Sequence, residues 1–102
     1  MGILSQLLRL ESAKDIRVLR SHGAILVDVR TAGEFAAGHA AGSISIPLGQ
    51  LTTEATMLPK DKPVIVFCAS GVRSAIAKWR LKSLGFERVY NAGSWKTLTE
   101  TM

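Results

Sequence analysis

The chain carries a single cysteine, Cys68, and its surroundings are those a reactive thiol needs. Four apolar residues, Val64-Ile65-Val66-Phe67, run directly into it, and Ala69-Ser70-Gly71-Val72-Arg73 leads from it to Ser74, where helical spacing begins. A free cysteine has a pKa of about 8.5, and the thiolate is the nucleophile. Backbone N–H groups in a tight loop and at a helix N-terminus put partial positive charge on one centre. Arg73 adds a permanent cation. Together they are expected to bring the Cys68 pKa into the range of roughly 3.5–7.5 seen for activated cysteines, so that the nucleophile exists at neutral pH. Gly71 opens backbone conformations that a side chain obstructs, and small Ala69 and Ser70 leave the sulfur approachable by a small anion. The plainer reading, a buried apolar cysteine at a strand end, suits a lone cysteine. Strand end, glycine-containing loop, arginine and helix start in sequence favour a thiolate or anion site.

One cysteine makes no internal disulfide, so the fold needs no oxidising compartment and a cytoplasmic location is expected. Redox chemistry at Cys68 would need a thiol from outside the chain.

The elements that must place this loop are legible in the pattern. Short apolar runs at Ile25-Leu26-Val27, Ile44-Ser45-Ile46, Val64 to Phe67 and Val89-Tyr90 read as strands. Two of them are nearly continuous, as strands buried on both faces of a parallel sheet should be. Ser12 with Asp15, and Thr31 with Glu34, form capping-box patterns that start helices, and Gly23 and Gly38 stop them. From Ser74 to Leu84 a helix puts Ala77, Leu81 and Leu84 on one side and Lys78 and Lys82 on another, with Gly85 closing it. A shorter helix is expected within Leu51 to Leu58, and Pro59-Lys60-Asp61-Lys62-Pro63 is a turn. Strand alternating with helix at this spacing predicts an α/β layer structure with a parallel sheet and right-handed crossovers.

In 102 residues, 47% of them hydrophobic and 21% charged, there is room for one domain with one core. Residues 1–10 stand apart as an N-terminal amphipathic extension. Its Ile3, Leu4, Leu7 and Leu8 either dock on the domain's own core or offer a partner surface. The formal charge of +5 favours anionic partners. The basic residues are nonetheless spread from Arg9 to Lys96 without a run of five, and the six aromatics do not interleave with them, so no nucleic-acid partner is expected. No apolar run approaches a bilayer span, the start shows no basic leader or cleavage site, and Gln6 spoils a myristoylation signal, so no membrane association is expected.

Three segments, in order, carry a family resemblance spanning about two-thirds of the chain. Val27-Asp28-Val29-Arg30-Thr31-Ala32-Gly33-Glu34-Phe35-Ala36-Ala37-Gly38-His39-Ala40-Ala41-Gly42-Ser43-Ile44-Ser45-Ile46-Pro47 resembles the long signature of rhodanese domains. Val66-Phe67-Cys68-Ala69-Ser70-Gly71-Val72-Arg73-Ser74 resembles their active-site loop, and Val89-Tyr90-Asn91-Ala92-Gly93 their closing strand and turn. Ala40 and Ser45 depart from the pattern as packing variations. The resemblance implies a three-layer α/β fold, a central parallel sheet of four or five strands flanked by helices on both faces. It also implies a ping-pong sulfurtransferase of the single-domain thiosulfate sulfurtransferase type. Cys68 would take the outer sulfur of thiosulfate or another persulfide, hold it as Cys68–S–SH, and pass it to a thiol, cyanide or a protein, with Ala69 to Ser74 as the substrate-binding loop and no cofactor.

By the same resemblance Asp28 and Arg30 brace the site, while a local ion pair leading into a helix accounts for them equally well. His39 follows a helix-ending glycine with only distant His22 for company, which makes no metal site. Trp95 either walls the mouth of the pocket or packs on the core where Ser94 starts a helix.

Two other functions share part of this pattern. Cysteine phosphatases and arsenate reductases also seat an oxyanion between a loop and an arginine, but with five residues between Cys and Arg where this chain has four. A shorter loop makes a smaller cradle, better suited to one added sulfur. A non-catalytic sulfur carrier or regulatory binding module keeps the fold without turnover, and the intact cysteine loop argues against the regulatory version.

Overall fold

A computed structural model of the chain describes residues 9–99. The expected helix of Ile3, Leu4, Leu7 and Leu8 lies outside the described residues. Helix α1 (Ala13–Ser21) starts at Ser12, whose side chain accepts the Asp15 N–H at 3.1 Å, and ends before Gly23 at φ +84°. Strand β1 (Ile25–Asp28) leads to α2 (Ala32–Ala37), where Thr31 and Glu34 close a full capping box. Strand β2 (Ile44–Ser45) is followed by α3 (Leu51–Glu54), extended by single 3₁₀ turns at Leu48–Gln50 and Ala55–Met57. Strand β3 (Val64–Cys68), α4 (Val72–Ser83), β4 (Val89–Ser94) and α5 (Trp95–Thr99) complete the domain.

The four strands are all parallel, in the order β2-β1-β3-β4. Every residue of β3 is buried, which is why its run is apolar without alternation. Val64, Val66 and Cys68 point toward Leu51 of α3 and Ala77 and Leu81 of α4. Ile65 and Phe67 point the other way, into a cluster with Ile16 of α1 and Leu98 of α5. Helices therefore cover both faces of the sheet, giving the three-layer α/β architecture.

Three boundaries differ from the sequence expectation, each for a local reason. Strand β2 stops at Ser45. Ile46 still donates its N–H to Asp28 O at 3.0 Å and Leu48 to Val29 O at 3.1 Å, but at Pro47 the chain leaves the strand and enters the 3₁₀ turn. Helix α4 begins at Val72, two residues before Ser74, because Gly71 occupies the capping position in a left-handed conformation and needs no side-chain cap. Strand β4 runs on to Ser94 with a register shift opposite Val66 and Phe67. Lys78, on the other side of α4 from Ala77 and Leu81, is buried as well, and its pKa is lowered by that burial and by Lys82.

At the end of β1 a charged pair is enclosed. Asp28 has 0% exposure and Arg30 4%. Arg30 Nε and Nη2 grip the Asp28 carboxylate at 3.0 and 2.7 Å, its N–H adds a third bond at 3.0 Å, and Nη2 also donates to Gly38 O at 2.7 Å. Removing one member of such a pair strands the other charge, which typically costs about 3–5 kcal/mol. Asp28→Asn is expected to destabilise the fold on that scale in urea unfolding, and the double change Asp28→Asn, Arg30→Met to recover most of the loss. Equal destabilisation by the single and double changes would mean the ion pair is not what the site depends on.

Candidate active site

Parallel topology gathers the carboxyl ends of β1, β3 and β4 on one rim, and Cys68 is the last residue of β3. The chain then turns through Ala69, Ser70 and Gly71. Gly71 sits at φ +106°, and a Cβ there would lie 3.3 Å from Gly93 Cα and 3.4 Å from Leu10 Cδ2. The expected role of this glycine is thus met twice, by conformation and by close approach. The turn aims the Gly71 N–H at Cys68 Sγ, 3.0 Å away, and the first bond of α4 runs from Ala75 N to Gly71 O at 3.1 Å.

Cys68 is 1% exposed, and burial pushes its pKa up. The Ser74 hydroxyl, 3.5 Å from Sγ, and the backbone N–H groups of Ser74, Ser70 and Gly71 push it down. The donors prevail, and the thiol lies below its ordinary value. This is the convergence of loop and helix-end amides expected from the sequence, with the Ser74 side chain added to it. Ala69 and Ser70 are exposed beside the sulfur.

Arg73 is placed differently from the expectation. Its guanidinium forms a bidentate pair with Glu34 of α2, Nη1 to Oε1 at 2.7 Å and Nη2 to Oε2 at 3.0 Å, instead of pointing at the thiol. Arg73 and the Thr31 N–H hold the Glu34 carboxyl at about 2. The cation therefore stands on the rim compensated first by Glu34, with a lesser Coulombic attraction to Cys68, and the groups that lower the Cys68 pKa are neutral donors. Val72 opens α4 as an exposed residue.

The Asp28–Arg30 pair extends to Trp95, whose ring lies 4.7 Å from Arg30 Cζ and also abuts Gly38. Trp95 packs partly on the core cluster of α1 and α5, and Ser94 Oγ accepts the Lys96 N–H at 3.2 Å. Both features match the core-packing and helix-start reading of this residue. His39 stacks on Phe35 with ring centroids 3.7 Å apart and donates Nδ1–H to Phe35 O at 2.8 Å.

Two residues of this constellation were not singled out from sequence. Glu34 was read only as a helix cap, and its second role is invisible because Arg73 is 39 residues away. Asn91 has 0% exposure, accepts from Ser74 Oγ at 2.7 Å and donates to Gly71 O at 3.2 Å. An asparagine inside an apolar strand run was the available signal for it.

Residues 9–100 match the rhodanese-like domain family. The chain is 38% identical over 80 residues to the thiosulfate sulfurtransferase GlpE of Ectopseudomonas mendocina, an alignment covering 78% of this chain and 73% of that protein. It is 41% identical over 66 residues to the uncharacterized protein YqhL of Bacillus subtilis (strain 168), covering 65% of this chain and 52% of YqhL, so it spans about half the length of that relative. The human single-domain sulfurtransferase TSTD1 superposes with a TM-score of 0.75 at 30% identity, covering 91% of this chain and 96% of that one. The chain belongs to the rhodanese-like family.

Two outcomes follow from the observed charges. Glu34 ordinarily titrates near 4.5 and is held at about 2 in the fold, so its pairing stabilises fully above pH 4.5 and is lost as pH falls toward 2. Glu34→Gln keeps a capping acceptor but no charge, and its urea midpoint should fall less steeply than the parent's over that acid range; parallel profiles would contradict the pairing. Because Arg73 does not touch the sulfur, Arg73→Ala should shift the pH profile of Cys68 alkylation by iodoacetamide less than Ser74→Ala does. The reverse order would restore the guanidinium as the main activator.

Proposed function

We propose that this chain is a sulfurtransferase that moves a sulfane sulfur through a persulfide on Cys68. The observation that carries the reading is the set of neutral hydrogen-bonding groups converging on a buried sulfur at the start of α4, with the thiol held below its ordinary value. The names of the relatives, thiosulfate sulfurtransferase and single-domain sulfurtransferase, support it.

In the first half-reaction the Cys68 thiolate attacks the outer sulfur of thiosulfate or of another persulfide donor. A new S–S bond forms at Cys68, and the donor's own S–S bond breaks, its electron pair leaving with sulfite or the donor thiolate. In the second, a thiolate or cyanide attacks the outer sulfur of Cys68–S–SH and the Cys68 thiolate departs. The loop Ala69 to Ser74 would receive the anionic donor, with the net charge of +5 drawing it in and Arg73 at the rim. Asp28 and Arg30, capped by Trp95, would brace the end of β1 beside the loop. No cofactor enters this scheme. Among the described residues no helix is long and apolar enough to cross a membrane, and no three His, Cys, Asp or Glu side chains group to hold a metal.

A protein acceptor has surface to meet. Val72, Ile76 and Trp79 are exposed at helical spacing on α4, a stripe that begins one residue after Gly71. A thiol protein with an acidic surface would complement the positive charge of this chain. Trp79→Asp is then expected to slow delivery to such a protein while leaving delivery to cyanide at the parent rate.

The decisive experiment is intact mass spectrometry. Thiosulfate should add about 32 Da, the mass of one sulfur, to the protein and nothing to Cys68→Ser, and cyanide should remove it. A protein that never gains this mass from thiosulfate or from low-molecular-weight persulfides would overturn the reading.

A further inference from the structure

The two groups that meet Cys68 Sγ from known positions, the Gly71 N–H donating at 3.0 Å and the Ser74 hydroxyl in contact at 3.5 Å, share a common holder. Asn91 Nδ2 donates to Gly71 O at 3.2 Å, and Asn91 Oδ1 accepts from Ser74 Oγ at 2.7 Å and from the Gly93 N–H at 2.9 Å. Asn91, Ser74 and Gly71 are all buried, so these bonds are shielded from competing water. The register shift in β4, where Val66 pairs with Asn91 but Phe67 pairs with Gly93, is what lets one asparagine side chain bond back to its own strand and across to α4.

Ser74 has a single hydroxyl proton and two neighbours that can take it. While Cys68 is a thiol, its S–H can fill the 3.5 Å contact to Ser74 Oγ, leaving the Ser74 proton for Asn91 Oδ1. A thiolate has no proton to give, so the contact can be filled only from Ser74. A charge-assisted bond is roughly twice as strong as a neutral one. Asn91 Oδ1 meanwhile keeps the Gly93 N–H and is not left unpaired.

We propose that Asn91 is a positioning residue for the Cys68 thiolate, and that the Ser74 hydroxyl is its moving part, turned to Asn91 Oδ1 in the thiol and to Sγ when Cys68 ionises. Only the S–H bond breaks, its proton passing to water; the Ser74 proton stays on its oxygen and merely rotates. Asn91 Nδ2 holds the Gly71 carbonyl in both states, so the Gly71 N–H stays on the sulfur. The inference rests on ionisation of Cys68 and not on the sulfur it carries, so failure of the mass experiment leaves it standing.

The test is an amide NMR titration of the full chain, with the Cys68 midpoint fixed separately by the iodoacetamide profile. The Gly93 N–H bonds Asn91 Oδ1 and not the sulfur, so its resonance should titrate at the Cys68 midpoint as Ser74 lets go of Oδ1. In Ser74→Ala that response should fall by at least about half, the Gly71 response should persist, and the alkylation midpoint should rise by about one pH unit, a tenfold loss of thiolate at a given pH. Ser74→Thr, which keeps the hydroxyl, should restore the Gly93 response. A Gly93 amide that does not titrate in the parent protein, or titrates equally in Ser74→Ala through the field of the thiolate alone, overturns the switch. Asn91→Leu should shrink the Gly71 response and raise the alkylation midpoint; a folded Asn91→Leu protein with both unchanged overturns the positioning role.

Discussion

Between the last residue of β3 and the first turn of α4 the chain reverses within Ala69, Ser70 and Gly71, and the left-handed turn at Gly71 points that residue's N–H back at the sulfur. Much of the site follows from this single backbone state. It starts α4 at Val72 without a side-chain cap, which places Ser74 in the first helical turn facing Cys68. It also brings Gly71 within van der Waals reach of Gly93 and Leu10, so the loop is wedged against β4 and against the parallel bridge between Leu10 and Asn91. A side chain at position 71 would have to displace backbone on one side while adopting a conformation L residues disfavour.

The rim carries two ion pairs of different physical standing. Asp28 and Arg30 are enclosed, bonded on several atoms and roofed by Trp95, so they act as a rigid strut between β1 and the end of α2. Arg73 and Glu34 are about one-third exposed and join α4 to α2 across the mouth of the site. Water and salt screen the second pair far more than the first. With Arg73 paired first to Glu34, stabilisation of negative charge at Cys68 falls mainly to neutral donors held by the loop and the start of α4. Such dipoles draw in no counter-ion of their own, and the backbone N–H groups among them are already oriented before charge appears.

Features set by a few adjacent residues were readable in the sequence. The apolar run into Cys68 predicted β3, Thr31 with Glu34 predicted the start of α2, and Gly71 predicted an unusual turn. What escaped depends on distant partners or on tertiary packing. Nothing near Arg73 announces Glu34, so the arginine was assigned to the sulfur on electrostatic grounds alone. The 3₁₀ turn after Pro47 shortens β2, and helical spacing sets Lys78 apart from the apolar side without showing that it is buried. Asn91 was legible only as a polar residue in a strand. Its role required the irregular β3–β4 register, which no local pattern specifies.

The same donors bear on both halves of the proposed transfer, and not in the same direction. A lower pKa raises the fraction of thiolate at neutral pH but lowers the intrinsic nucleophilicity of each thiolate. In the second half-reaction the Cys68 thiolate is the leaving group, and there a lower pKa is favourable throughout. Burial opposes the donors, pushing the thiol pKa up, and so keeps the sulfur from becoming too weak a nucleophile. A site built from neutral donors around a buried sulfur therefore tunes attack and departure together, which a strong cation in direct contact would bias toward departure.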